Sequence, residues 1–102
     1  MNSFNEKCYE LLRTVPRGRV TTYKSIANAL GTRAYRAVGN AINKNPHDIK
    51  KVPCHRVVNS DGKLGGYAWD INQKKSLLKC EGVKVKDGKI VDFERKFFDL
   101  KI

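Results

Sequence analysis

No apolar run in this sequence is long enough to cross a bilayer, and Met1 to Glu10 lack the charged-then-apolar layout of a secretory signal. Neither a membrane protein nor an exported one is expected. Cysteine is scarce, and Cys8, Cys54 and Cys80 form an odd set without paired metal-ligand spacing. That argues against a disulfide framework and against a zinc site, and it favours free thiols in a reducing cytoplasm. No metal or cofactor is expected. Repeats and low-complexity tracts are absent, and 102 residues suit one compact domain spanning 1–102. Acidic side chains are also few, 10 Asp+Glu against 21 Lys+Arg, a formal charge of +11. Such a surface favours a polyanionic partner through counterion release, with nucleic acid the leading class. A lysine-rich surface that only confers solubility is the alternative reading of charge alone.

The residues present organise into short helices. Phe4, Cys8, Leu11, Leu12 and Val15 recur at helical spacing, so a first helix is expected to end before Pro16 and to bury Cys8. Thr21 or Thr22 can cap a second helix carrying Tyr23, Ile26, Ala27 and Leu30, stopped by Gly31. Ala34, Ala37, Val38, Ala41 and Ile42 then mark a third helix. Two helices around a tight turn are the layout of a helix-turn-helix. The opposite face of the third helix carries Arg36, Gly39, Asn40 and Asn43, with Arg33 one turn earlier. Glycine wastes helix propensity there unless something approaches closely, which favours a nucleic-acid groove over an ordinary solvated face.

Beyond Asn45 and Pro46, Asn59 to Gly62 read as a hairpin turn, Asp70 and Gln73 as a capping box for a helix through Lys79, and Asp87-Gly88 as a small terminal hairpin. Phe93 to Phe98 read as a packing tail. The expected class is mainly α with minor β, a winged-helix-like helix-turn-helix. A winged-helix regulator would share everything up to residue 45. Cys80 reads as a core or helix-end residue, His47 as solvated, and Lys50-Lys51 and Lys74-Lys75 as general phosphate attraction.

Pro53-Cys54-His55-Arg56 is the sharpest local feature, because a thiol needs a base or a positive environment to become a thiolate. Neighbours on an extended strand face opposite ways, so a Cys54–His55 partnership needs a bend, for which Pro53 is suited. A third group should orient the imidazole, and Glu81 is a candidate. Cys54 also admits a reading as a small buried hydrophobe with His55 capping a carbonyl.

The string Pro53 to Val58 resembles the active-site signature of the O6-alkylguanine-DNA alkyltransferases, also called methylated-DNA–protein-cysteine methyltransferases. Val20 to Tyr23, Tyr35 to Ala41, Asn45-Pro46, Gly66-Tyr67 and Glu81-Gly82 follow the order that family shows. The resemblance implies the catalytic domain alone, without the extra N-terminal domain of many relatives. It implies binding to double-stranded DNA containing O6-alkylguanine, base flipping, and irreversible transfer of the alkyl group to Cys54, once per molecule, by a monomer. It gives Arg36 the role of a finger filling the vacated stack, joined at the DNA by Tyr23, Thr22, Arg33, Gly39, Asn40 and Asn43. Tyr23 would press the flipped nucleotide's phosphate and protonate the leaving guanine. Asn45 becomes a hinge, and Cys54, a bridging water, His55 and Glu81 an activating relay, with Arg56 a brace. Backbone near Cys54 and Val57 would select the base, Tyr67 and Ala68 would form the pocket lip, and Trp69 would favour methyl over benzyl. Alkyltransferase-like proteins, which recognise lesions without removing them, typically lack the cysteine and are the nearest rival.

Overall fold

A computed structural model describes residues 3–46, 48, 50–64 and 71–100. Helix α1, Phe4–Arg13, begins where the Ser3 hydroxyl accepts from the Glu6 N–H at 3.2 Å. Its inner face buries Cys8, Tyr9 and Leu12. Tyr9 lies outside the expected apolar stripe; burial is tolerable because its hydroxyl donates to the Ala41 carbonyl at 2.7 Å. That bond ties α1 to the end of α3, Tyr35–Asn43.

Between them lie strand β1, Thr21–Thr22, and helix α2, Tyr23–Ala29. The Thr22 hydroxyl accepts from the Ser25 N–H at 2.9 Å, which starts α2 as the sequence suggested. Gly31, at φ +72°, supplies the left-handed turn that stops it. Helices α2 and α3 pack on each other and on α1, giving the expected helix-turn-helix.

The next segment pairs unexpectedly. Strand β2, Val57–Val58, lies parallel to β1 with Thr21 opposite Val57 and Thr22 opposite Val58. Asn59 to Gly62 do form a turn, closed by Asn59 N–H to Lys63 O and Gly62 N–H to Asn59 O, both 2.9 Å. Among the described residues β2 pairs with β1, and Lys63 bridges to Lys89. Helix α4, Ile71–Cys80, leads to the hairpin β3, Val85–Lys86, and β4, Lys89–Ile90. Asp87 and Gly88 at its tip both have positive φ, 52° and 76°, the backbone a tight two-residue hairpin needs.

A single-turn helix α5, Phe93–Lys96, then brings the tail back across the molecule. Val20 donates to Lys96 O at 2.9 Å and accepts from Phe98 N–H at 2.7 Å, while Leu100 N–H bonds the Ser25 hydroxyl at 3.0 Å. The two short strands separate two apolar cores. One joins α1, α2, α3, Cys54, Val57 and Leu100; the other gathers Val20, Val58, Leu64, Leu78, Val83 and Ile90. Among the described residues no helix is long and apolar enough to cross a membrane.

Candidate active site

Pro53 makes the bend that the Cys54–His55 pair requires. Its φ of −78° and ψ of 72° form an inverse γ-turn, closed by the Cys54 N–H donating to Val52 O at 2.8 Å. A 3-10 turn over Cys54–Arg56 follows immediately, held by Arg56 N–H to Pro53 O at 3.0 Å. The Asn45 amide Nδ2 also donates to Val52 O, at 3.2 Å. Asn45 thus fastens the end of α3 to the turn that presents Cys54.

Cys54 is 3% exposed and packs in the first core, so the reading of a small buried hydrophobe is half right. The surroundings make it more than that. The Glu81 Oε1 atom stands 3.1 Å from His55 Nε2, with both side chains nearly buried. The contact becomes an ion pair only when the imidazole is protonated. His55 Nδ1 is buried and has no hydrogen-bond partner among the described residues. Burial lowers the His55 pKa, partly offset by Glu81, so the ring is neutral at pH 7 and able to take a proton.

Arg56 braces Glu81 through two bonds, Nε to Oε1 at 2.9 Å and Nη2 to Oε2 at 2.6 Å, and its Nη1 donates to Val15 O at 2.8 Å. Burial alone would raise the Glu81 carboxyl, but Arg56 and His55 outweigh it and hold the group below the usual carboxylate range. Glu81 stays ionised beside the imidazole.

Tyr23, the first residue of α2, is pushed up in pKa by burial and then by the charge of Cys54, which places phenol and thiol in one electrostatic neighbourhood. It also lines a cleft of about 520 Å³ with Lys24, Tyr35, Arg36, Asn59 and Ser60. A cleft of about 570 Å³ between α1 and the end of α2 is larger, but neither it nor the Tyr23 cleft is lined by the thiol or by the His55–Glu81–Arg56 cluster; that cluster lines a separate cleft of about 340 Å³ with Arg17, Lys50, Leu77 and Cys80. Tyr35, Lys24, Asn59 and Ser60 were not named as site residues from the sequence; in the fold Tyr35 is 43% exposed and lines this cleft with Arg36.

On α3, Arg36, Asn40 and Asn43 are exposed, Arg33 just before it is exposed, and Gly39 is half-buried. A Cβ on Gly39 would meet nothing within 4 Å, so nothing described within the fold demands glycine there. The α3 N-terminus carries no side-chain cap, although the Tyr35 N–H donates to Arg33 O at 2.8 Å and the Ala34 N–H to the Thr32 hydroxyl at 3.2 Å. Thr22 is buried, and its hydroxyl caps α2 by accepting from the Ser25 N–H. Val57 is buried, and its carbonyl already accepts from Lys74. Tyr67, Ala68, Trp69, His47 and the Asp70 cap lie outside the described residues. Cys80 is the exposed last residue of α4.

Lys74 is the clearest correction. In place of attracting phosphates it is fully buried, its Nζ donating to Val57 O and Leu64 O at 2.7 Å each. Burial lowers its pKa to about 8, partly offset by the charge of Cys54. The ammonium therefore lies within electrostatic reach of the thiol and clamps the strand that follows it.

The comparisons with known proteins agree with this geometry. Residues 3–83 match the family model described as 6-O-methylguanine DNA methyltransferase, DNA binding domain. A methylated-DNA–protein-cysteine methyltransferase of Methanosarcina barkeri is 51% identical over 79 residues, which cover 76% of this chain and 49% of the relative. The crystal structure of the O6-methylguanine-DNA methyltransferase from Pyrococcus kodakaraensis strain KOD1 superposes with a TM-score of 0.72 at 50% identity, covering 81% of this chain and 48% of that one. This chain thus spans about half the length of those two relatives. The structure of S. pombe Atl1 in complex with damaged DNA containing O6-carboxymethylguanine matches with a TM-score of 0.80 at 30% identity, over 96% of this chain and 98% of Atl1. The chain belongs to the 6-O-methylguanine DNA methyltransferase DNA-binding-domain family.

Proposed function

We propose that this chain repairs DNA directly, moving an alkyl group, above all methyl, from O6 of guanine in a duplex onto Cys54. The observation that carries the reading is a buried thiol presented on the Pro53 turn, followed directly by a buried His55 that Glu81 approaches to 3.1 Å, with Tyr23 in the electrostatic neighbourhood of the thiol. The family membership and the relatives' names support the same chemistry. Arg36 enters the stack and Tyr23 bears on the phosphate of the flipped nucleotide.

His55 takes the Cys54 proton, directly or through solvent, and Glu81 stabilises the imidazolium. Sγ attacks the alkyl carbon opposite O6, so the C–S bond forms as the C–O bond breaks and the electron pair leaves on guanine. The Tyr23 phenol supplies the proton that neutralises the leaving base. The thioether product offers no carbonyl to water, so each molecule reacts once. One copy suffices for one lesion, and the reaction runs wherever the cell keeps its DNA and a reduced thiol.

A second reading is lesion recognition without transfer, favoured by the end-to-end match to Atl1. Cys54 in its relay argues against it, since recognition needs no nucleophile. Peptide mass spectrometry after mixing the protein with a duplex carrying one O6-methylguanine separates the two. One methyl on the Cys54 peptide, saturating at one per protein, is expected; a folded protein that binds the lesion without acquiring an adduct would establish the second reading.

A further inference from the structure

The hairpin beyond the helix-turn-helix places like charges side by side. Lys89 sits opposite Lys86 in the β3–β4 ladder and is bridged on its other side by Lys63, so three exposed lysines form one row across three segments. Directly opposed residues share a face of the sheet, and like charges so placed repel. Lys84 precedes Lys86 by two and projects to the same face. Lys84 and Lys86 also line a groove of about 540 Å³, together with Val85, Val91 and, from α4, Lys75 and Lys79, themselves like charges one helical turn apart.

Among the described residues little offsets this density. Asp61 approaches Lys63 only to 3.9 Å on the surface. Asp87 occupies the tip of the hairpin and Asp92 follows it. Lys75, Lys79, Lys84, Lys86 and Lys89 form no ion pair among the described residues.

We infer that this lysine row and groove are a second contact surface for the phosphate backbone of duplex DNA, separate from the recognition helix. The inference rests on the proposed action on DNA. The turn that delivers Lys63 begins with Asn59 and Ser60, which line the cleft beside Arg36, so the row starts near the recognition groove and runs outward along the hairpin. A duplex seated on α3 is therefore the polyanion best placed to continue onto it. Lysines on long stems act as point charges, so the contact is independent of sequence and lengthens the footprint without adding specificity.

The test is the salt dependence of binding to an unmodified duplex of two turns, about 21 base pairs. Each phosphate neutralised contributes about 0.9 to the slope of log K against log salt. The triple variant Lys84→Gln, Lys86→Gln, Lys89→Gln should lower that slope by roughly 2 to 3, while transfer at saturating lesion DNA keeps the wild-type rate. The matching Lys→Arg triple should keep the slope. An unchanged slope in the glutamine variant, or a lowered one in the arginine variant, would overturn the inference. So would an unchanged duplex slope accompanied by loss of single-stranded RNA binding, which would assign the surface to RNA. Failure of the wild type to bind duplex or acquire the methyl group would instead refute the repair reading, so the two failures are distinct.

Discussion

Arg56 and Glu81 meet in a two-point fork, at 2.9 and 2.6 Å, at the place where the negative end of α4 would otherwise disfavour a carboxylate. The arginine keeps an ionised glutamate next to a neutral imidazole, and through Val15 it secures both to the end of α1.

Arg56→Ala should therefore cost about 2–3 kcal/mol in stability, because it strands a mostly buried carboxylate. Urea unfolding measures it, and a loss well under 1 kcal/mol would show that the fork is ornamental. Glu81→Gln keeps the shape and removes the charge, so it should slow transfer more than it lowers stability.

Cys54→Ala should abolish transfer and leave duplex affinity at the wild-type level, since no phosphate contact is removed. Residual methylation of the variant at any other cysteine, read by peptide mapping, would displace Cys54 from the proposed role.

Arg36→Ala should slow transfer from duplex DNA by roughly tenfold or more, given an unstacking cost of about a few kcal/mol, and leave reaction with the free modified base nearly unchanged. Equal slowing on both substrates would remove Arg36 from the stack.

Gly39→Ala should stabilise the free protein by roughly 0.5–1 kcal/mol, since α3 gains propensity and the added methyl meets open space. The same methyl should weaken duplex binding if the backbone of α3 is closely approached there. A variant both more stable and equally tight would show that the glycine is incidental.

The buried Lys74 sets an alkaline signature. Its pKa is about 8 in the fold against 10.5 for a solvated lysine, so above pH 8 the unfolded chain holds a proton that the folded chain has lost. Stability then rises with pH, at up to about 1.4 kcal/mol per unit. Above pH 9 Cys8, pushed up by burial to about 11, acts in the opposite direction, so the rise should be clearest between pH 8 and 9. Lys74→Met should erase it, and a rise retained in that variant would assign it to another group.

On the acid side the order is also set. His55 is lowered from 6.5, so stability should begin to fall as the pH drops below that value, while transfer falls only further down, as the buried ring itself takes a proton; Glu81 adds a second loss of stability below 4.5. A transfer rate with no acid fall anywhere in the range where the protein stays folded would exclude His55 as the proton acceptor.

Periodicity made the three leading helices legible, and local chemistry made Thr22 legible as a cap and Pro53 as a bend. Arg56 was rightly read as a brace and Glu81 as a candidate partner of His55, though spacing alone could not bring residues 55 and 81 together. The roles of Arg36, Tyr23 and Asn45 came from family resemblance; the structure places Tyr23 and Arg36 on one cleft and ties Asn45 to the Cys54 turn.

Lys74 was illegible because a lysine between glutamine and lysine looks solvated, and only the fold reveals the two carbonyls that hold it. Tyr9 was hidden for a related reason, since its burial depends on Ala41, far along the chain. The pairing of β1 with β2 involves two residues on each side, too short for any alternating pattern.

The backbone bonds of Val20 to Lys96 and Phe98 have a further consequence. The match to the family model stops at residue 83, yet Val20 just before β1, and Ser25 within α2, are held by residues 96 to 100. The family model therefore ends short of contacts that hold α2, which the match to Atl1, over 96% of the chain, takes in. The last stretch works as a clasp closing on the scaffold of the recognition helices, so a graft cut at the homology limit would carry over the reactive centre with its fastening left behind.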